Sequence, residues 1–127
     1  NAFTPGRHGS TFGGNPLGAR TACTVLDIMR SQDLPGHVTR IGDFLFEGFR
    51  ARLEADPRVM DIRGRGLMVG IELDRDVNQL KIDALGKGVL LNVTRDTVVR
   101  LLPPLIIDQA QAEQIVETVC SLIESLD

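Results

Sequence analysis

The chain has almost no lysine, little cysteine or histidine, and no excess of positive charge. Lys81 and Lys87 are its two lysines, and 14 Lys plus Arg against 17 Asp plus Glu leave a net charge of −3. Such a balance offers no basic field to hold nucleic acid or an anionic membrane surface, so neither is expected as a partner. Cys23 and Cys120 stand far apart and are too few for a disulfide framework. We expect both to be small apolar fillers in a reduced, cytoplasmic protein. Two cysteines and two histidines also argue against a structural zinc site, and no metal is expected. Apolar runs end within a few residues at a charge or a proline, which excludes a membrane-spanning helix, and no hydrophobic signal region opens the sequence. Repeats and low-complexity tracts are absent.

What is present suits one ordinary domain: 127 residues, 43% of them hydrophobic, enough for a true core. Residues 1–15 hold Pro5, Gly6, Gly9, Gly13 and Gly14 and read as an irregular loop. Pro16 then fits the first turn of a helix through Leu17, Cys23, Val25, Leu26 and Met29, ending before Leu34-Pro35-Gly36. Val38, Ile41, Leu45, Phe49 and Leu53 recur at helical spacing and predict a second helix. The texture then turns to β, with strands over 59–63 and 67–73 around Gly64-Arg65-Gly66, and a hairpin of 89–93 and 98–102 around Thr94-Arg95-Asp96-Thr97. Val77, Leu80 and Leu85 suggest a short helix between them. Asp108 with Gln111 resembles a capping box for a last helix through Ile115, Val119, Leu122 and Leu126. The expected class is α+β: a small antiparallel sheet packed with helices, with an arm of 1–30 leading into a compact unit from about 37 to the end. Because the sequence opens at Asn1 on a Pro/Gly-rich segment, a processed product or a piece of something longer is expected.

Two places carry possible chemistry. In His8-Gly9-Ser10-Thr11-Phe12-Gly13-Gly14-Asn15-Pro16, glycines let backbone amides approach an anion while two hydroxyls donate to it, just ahead of a helix N-terminus. Phosphate is the natural ligand, although no Gly-Lys-Ser/Thr follows and no strand precedes, so this is neither a nucleotide P-loop nor a dinucleotide fingerprint. A plain glycine-rich surface connection is the competing reading. The second place is Arg100, whose guanidinium in the apolar run 98–105 would demand a carboxylate if buried, unless it alternates to the open side of the sheet. Arg63 and Arg65 read as solvated, Glu72 as the polar face of a strand, and His37 as a surface residue. Neither lysine looks like a buried, activated amine.

Taken together, Phe3-Thr4-Pro5-Gly6 with the glycine loop and Leu17, then Arg63-Gly64-Arg65-Gly66-Leu67-Met68-Val69-Gly70-Ile71-Glu72-Leu73, then Leu91-Asn92-Val93-Thr94 and Val99-Arg100-Leu101-Leu102-Pro103-Pro104-Leu105 closely resemble the C-terminal part of class III pyridoxal-phosphate aminotransferases. The likeness runs end to end and is strongest to the acetylornithine branch. It implies the small C-terminal domain of a fold type I aminotransferase, residues 37–127, preceded by the last loop and helix of the large domain, residues 1–36. It further implies that Thr11 donates to the phosphate of pyridoxal 5'-phosphate in the partner of a homodimer, that Ser10 lies at the substrate, and that Arg100 handles a substrate carboxylate, with a switch to a protein glutamate open for the other half-reaction. The implied reaction is amino transfer between N2-acetylornithine and 2-oxoglutarate, in arginine biosynthesis. N-succinylornithine, N-succinyl-diaminopimelate and ornithine remain open as donors, because the groups that distinguish them are contacted mostly by residues outside this sequence.

The sequence departs from the family pattern in what it lacks: the Schiff-base lysine, the acid paired with the pyridine nitrogen and the stacking aromatic all belong upstream of Asn1. Gly18-Ala19-Arg20-Thr21 also differs from the small residues usual in relatives. By itself the chain is expected to be catalytically silent. A free-standing α+β module that binds an anion without chemistry is the alternative.

Overall fold

In the computed structural model, which describes residues 4–6 and 8–126, Pro16 takes the first position of helix α1 (Pro16–Ser31), where its missing amide proton costs nothing. Phe3 of the opening motif lies outside the described residues. Asn15 caps the helix by accepting from the Gly18 amide at 2.9 Å. The chain divides into two compact units, Asn1–Asp33 and Leu34–Asp127. Helix α1 belongs to the first and has no buried residue.

The second unit begins with α2 (Leu34–Leu53), which starts earlier than the expected Val38. Pro35 does not break it, because in the first turn a proline removes no intrahelical bond. Strands β1 (Val59–Arg65) and β2 (Met68–Leu73) follow, then α3 (Leu80–Gly86), β3 (Asn92–Thr94), β4 (Val98–Leu101) and α4 (Gln109–Glu124). All pairings are antiparallel, in the order β1-β2-β4-β3, so the α+β expectation holds. The first hairpin turns more tightly than expected: Arg65 pairs with Met68, leaving only Gly66 and Leu67 in the turn, with Gly66 at φ +56°. Strand β3 is shorter than the expected 89–93 because the Val89 amide closes α3 by donating to the Ala84 carbonyl. The turn of the second hairpin holds Arg95 and Asp96 at positive φ. Its shape is fixed from outside, by the Val77 amide on the Asp96 carbonyl and by Asn78 on the Asp96 carboxylate, each at 2.8 Å. The capping box of α4 forms as expected, Gln111 N–H to Asp108 at 2.8 Å and Asp108 N–H to Gln111 at 3.0 Å.

Ile41, Leu45, Phe49 and Leu53 form one stripe of α2, buried with Ala112, Val116, Val119 and Ile123 of α4 and with Val69, Ile71, Val99 and Leu101 of the sheet. Each large aliphatic or aromatic side chain buried there is worth roughly 1.5 to 3 kcal/mol. By contrast, Arg52 of α2 reaches Glu117 at 2.5 Å and Glu124 at 2.6 Å on α4 in the open, a contact worth about 1 kcal/mol or less. The core, not the ion pairs, therefore holds the two helices together. Behind α2, Arg58 binds Asp56 and the Leu126 carbonyl, tying the end of α4 to the turn before β1. The hydrogen bonds from the Arg58 side chain and backbone hold the Asp56 carboxyl at about 2, below its usual range.

Two glycines permit close approaches that a Cβ would block. One built on Gly42 would lie 2.6 Å from the Gly66 carbonyl oxygen, and one on Gly64, at φ +155°, only 1.9 Å from that of Met68. Gly64→Ala is expected to destabilise the chain by about 2 to 4 kcal/mol, through backbone strain and overpacking together. Gly86→Ala, where a Cβ meets nothing within 4 Å, should stay within about 0.5 kcal/mol of the parent. Urea unfolding followed by far-ultraviolet circular dichroism compares the two.

Candidate functional site

The sheet has one face on the core and one face that the unit's helices do not cover, and strand alternation sends every second side chain to each. On β2 and β4 the core side takes Val69, Ile71, Val99 and Leu101. The other side takes Met68, Gly70, Glu72, Val98 and Arg100. Register then lines up a row across four strands: Arg63 of β1 opposite Gly70, Gly70 opposite Arg100, and Arg100 opposite Asn92. Directly paired residues share a face, so two guanidiniums flank a glycine that has no side chain to fill the space between them. The adjacent row places Asp61 opposite Glu72 and Glu72 opposite Val98.

The two arginines of this row are in different states. Arg63 donates to Asp61 at 2.8 Å and to Glu72 at 2.5 Å, and these bonds, Asp61 first, raise its already high pKa. Arg100 is exposed and makes no hydrogen bond or ion pair among the described residues. It is therefore not the buried guanidinium that would have demanded a partner; it alternates to the open face. A Cβ on Gly70 would meet nothing closer than Val98 at 3.5 Å, so the space beside Arg100 is free on that side. Geometrically, an exposed fork with an empty neighbour can take a planar carboxylate in two parallel hydrogen bonds.

In the other unit, the loop before α1 is organised by its own polar groups. Ser10 Oγ accepts from the Gly13 amide at 2.8 Å, Asn15 Nδ2 donates to the Phe12 carbonyl at 2.5 Å, and Gly14 sits at φ +74°. The Ser10 hydroxyl keeps its own proton for a further acceptor. Thr11 is exposed, and its hydroxyl has no hydrogen bond among the described residues. Ser10 and Thr11 are thus together in one unit, and Arg100 stands in the second.

Several other expectations are revised. His37 is half-buried, its Nε2 2.8 Å from the Ile107 carbonyl, and links α2 to the segment before α4, so it is no plain surface residue. Cys23 is exposed on α1 and fills no core, whereas Cys120 is buried and its thiol is pushed up to about 11, chiefly by burial. Leu85, placed on the apolar side of the short helix, is exposed, and Leu80 with Ala84 anchors α3. Arg63 is not simply solvated, since it binds Asp61 and Glu72, which lie opposite each other on β1 and β2. Both lysines are exposed, Lys81 donating to Asn78 at 2.7 Å, and neither resembles a buried amine. Clefts of about 680 Å³ beside Phe46 and Arg65 and of about 470 Å³ beside Leu90 and Ile115 do not include Arg100. Among the described residues no helix is long and apolar enough to cross a membrane, and no cluster of three metal-ligating side chains occurs.

Compared with known proteins, residues 1–123 match the family model of class III aminotransferases. The chain belongs to that family. It is 50% identical over 121 residues to the acetylornithine aminotransferase of Nitrosomonas europaea, covering 95% of this chain and 31% of the relative. It is 40% identical over 124 residues to ornithine aminotransferase 2 of Staphylococcus saprophyticus, covering 96% of this chain and 30% of that one. Among solved structures, the ornithine aminotransferase of Toxoplasma gondii superposes with a TM-score of 0.87 at 31% identity, over 97% of this chain and 30% of that chain. The acetylornithine aminotransferase of Elizabethkingia anophelis gives 0.85 at 29% identity, over 98% and 32%. The chain thus spans less than a third of the length of the curated relatives named here. In one structure of the Toxoplasma gondii enzyme, 32% identical to this chain with a TM-score of 0.84 over 94% of it and 29% of the other, pyridoxal phosphate occupies the active site in part.

Proposed function

We propose that this chain is the C-terminal portion of an acetylornithine aminotransferase-like enzyme that moves an amino group between N2-acetylornithine and 2-oxoglutarate in arginine biosynthesis, in the cytoplasm. The observation that carries the reading is the pair of arginines that flank Gly70 on the open sheet face: Arg63 has its carboxylates, and Arg100 has none among the described residues. A dicarboxylate that must be oriented in every turnover needs such a free fork. In this reading residues 1–36 close the large cofactor domain and residues 37–127 form the small domain. Arg100 binds and orients the substrate carboxylate, and Ser10 offers its remaining hydroxyl proton to substrate.

Pyridoxal 5'-phosphate supplies the electron sink for amino transfer. The residues present fit its phosphate, since the Thr11 hydroxyl is exposed and unbonded among the described residues and stands in a glycine-rich loop. They do not fit its covalent attachment, because Lys81 and Lys87 are both exposed. The attaching lysine is assigned to sequence beyond this chain, which by itself should not transaminate. Thr11 is read as serving the phosphate of the other subunit of a homodimer.

In the full-length enzyme, Arg100→Lys is expected to cost about 1.5 to 3 kcal/mol of kcat/KM for 2-oxoglutarate, on the order of ten- to a hundred-fold, with little change in cofactor affinity. Unaltered steady-state kinetics would remove Arg100 from the substrate site.

The shared-site reading is checked by mixing subunits. A subunit lacking the attaching lysine and a subunit with Thr11→Ala are each impaired as homodimers. In a mixed dimer both lesions fall on one site and the other site is intact. With half the dimers mixed, activity should recover to roughly a quarter of wild type. No recovery after proven exchange would assign the loop to its own subunit.

A further inference from the structure

Asn92 stands directly beside Arg100 in the row across the sheet, within Leu91-Asn92-Val93-Thr94, a stretch to which the reading above gives no role. The Leu73 amide donates to the Thr97 carbonyl at 2.9 Å, so on β4 the backbone groups of Thr97, Val99 and Leu101 turn to β2, and those of Val98 and Arg100 turn to β3. Arg100 and Asn92 are therefore a pair whose backbones exchange hydrogen bonds, with Cα atoms about 5.5 Å apart and both side chains on the open face. Asn92 is exposed, and its carboxamide makes no hydrogen bond among the described residues. Nothing in the fold asks for it there: asparagine is disfavoured in strands, and an unbonded carboxamide adds no stability. On its other side Arg100 has Gly70, which contributes no side chain.

We propose that Asn92 is a positioning residue that braces the Arg100 guanidinium from the β3 side while a carboxylate is held on the Gly70 side. The inference rests on the reading of Arg100 given above and adds the group that orients its fork. A guanidinium has five N–H donors and no acceptor, and a carboxylate held in two parallel bonds takes only two of them. Of the two direct neighbours of Arg100, Gly70 offers no side chain and Asn92 offers a carboxamide oxygen, which can accept from the Nε–H. With that bond made, the Nη groups turn toward the empty side of the row. The brace is neutral, so it leaves the positive charge of Arg100 undiminished. It serves equally when the guanidinium holds the 2-oxoacid and when, by the switch left open for the other half-reaction, it holds a protein glutamate.

The test is a double-mutant cycle in the full-length enzyme, with Asn92→Leu, which keeps the shape and removes the acceptor, Asn92→Ala as a second truncation, and each combined with Arg100→Lys. The readouts are kcat/KM for 2-oxoglutarate, kcat/KM for the amino donor, and the urea midpoint. In the parent background both Asn92 variants should lower kcat/KM for 2-oxoglutarate about three- to ten-fold, the net worth of one hydrogen bond. The value for the amino donor should stay within about two-fold and the urea midpoint should not move. In the Arg100→Lys background the same changes should have no further effect, because a residue that acts through the guanidinium has nothing left to act on. Additive losses, or silent Asn92 variants, would overturn the proposal, while a defective Arg100→Lys would leave the carboxylate reading standing. A silent Arg100→Lys would overturn both. Equal falls for the two substrates, or a lowered urea midpoint in both variants, would mark Asn92 as merely structural and equally overturn it.

Discussion

The antiparallel pairing of β2 with β4 decides on which side of the sheet Arg100 and its neighbours stand. With Gly70 opposite Arg100, the side chains of Val69, Ile71, Val99 and Leu101 all enter the core, and Arg100 is left on the uncovered face. A slip of one residue would invert the set, placing a guanidinium among Leu45, Phe49 and Ile123, where an unpaired charge costs several kcal/mol. The Leu73 amide, donating to the Thr97 carbonyl at 2.9 Å, continues that pairing beyond β4, and the flanking strands are fixed by their own turns. The tight turn at Gly66 and Leu67 fixes β1 on β2, and the Asp96 turn, clasped by Val77 and Asn78, fixes β3 on β4.

On the uncovered face the same pairing distributes charge unevenly. Asp61 and Glu72 both bind Arg63 at the β1 side, while Arg100 stands beside Gly70. Exposed ion pairs add little to stability, and the fold would persist without them. Their effect is to determine which guanidinium is occupied.

Much of this was legible in the sequence because local signals and tertiary packing agree. The helical spacing of Ile41, Leu45, Phe49 and Leu53, the capping box at Asp108 and Gln111, and Pro16 at the head of α1 are all decided within a few residues, and each appears as expected. The boundaries that moved did so for non-local reasons. Val89 spends its amide on closing α3, so β3 cannot begin there, and Leu34 joins α2 because Pro35 is tolerated in its first turn. Likewise His37 gains a partner seventy residues away, at Ile107. The row Arg63, Gly70, Arg100, Asn92 was not legible, since strand order and register are properties of pairing, and each residue alone reads as an ordinary polar or small strand position. Resemblance singled out Ser10, Thr11 and Arg100 as a set, whereas composition left a glycine-rich connection and a solvent-facing strand residue.

The central claim is that, of the two guanidiniums flanking Gly70, that of Arg63 is held by carboxylates and that of Arg100 has no partner among the described residues. Arginine side-chain ¹⁵N spectra of the chain, with Arg63 and Arg100 assigned by substitution, measure this as the rate of rotation of each guanidinium about its Nε–Cζ bond. Bonded to Asp61 and Glu72, Arg63 should rotate slowly and show resolved Nη signals, while Arg100 should rotate fast and show a single averaged signal. Rotation of Arg100 as hindered as that of Arg63, or equally free rotation of both, would contradict the account.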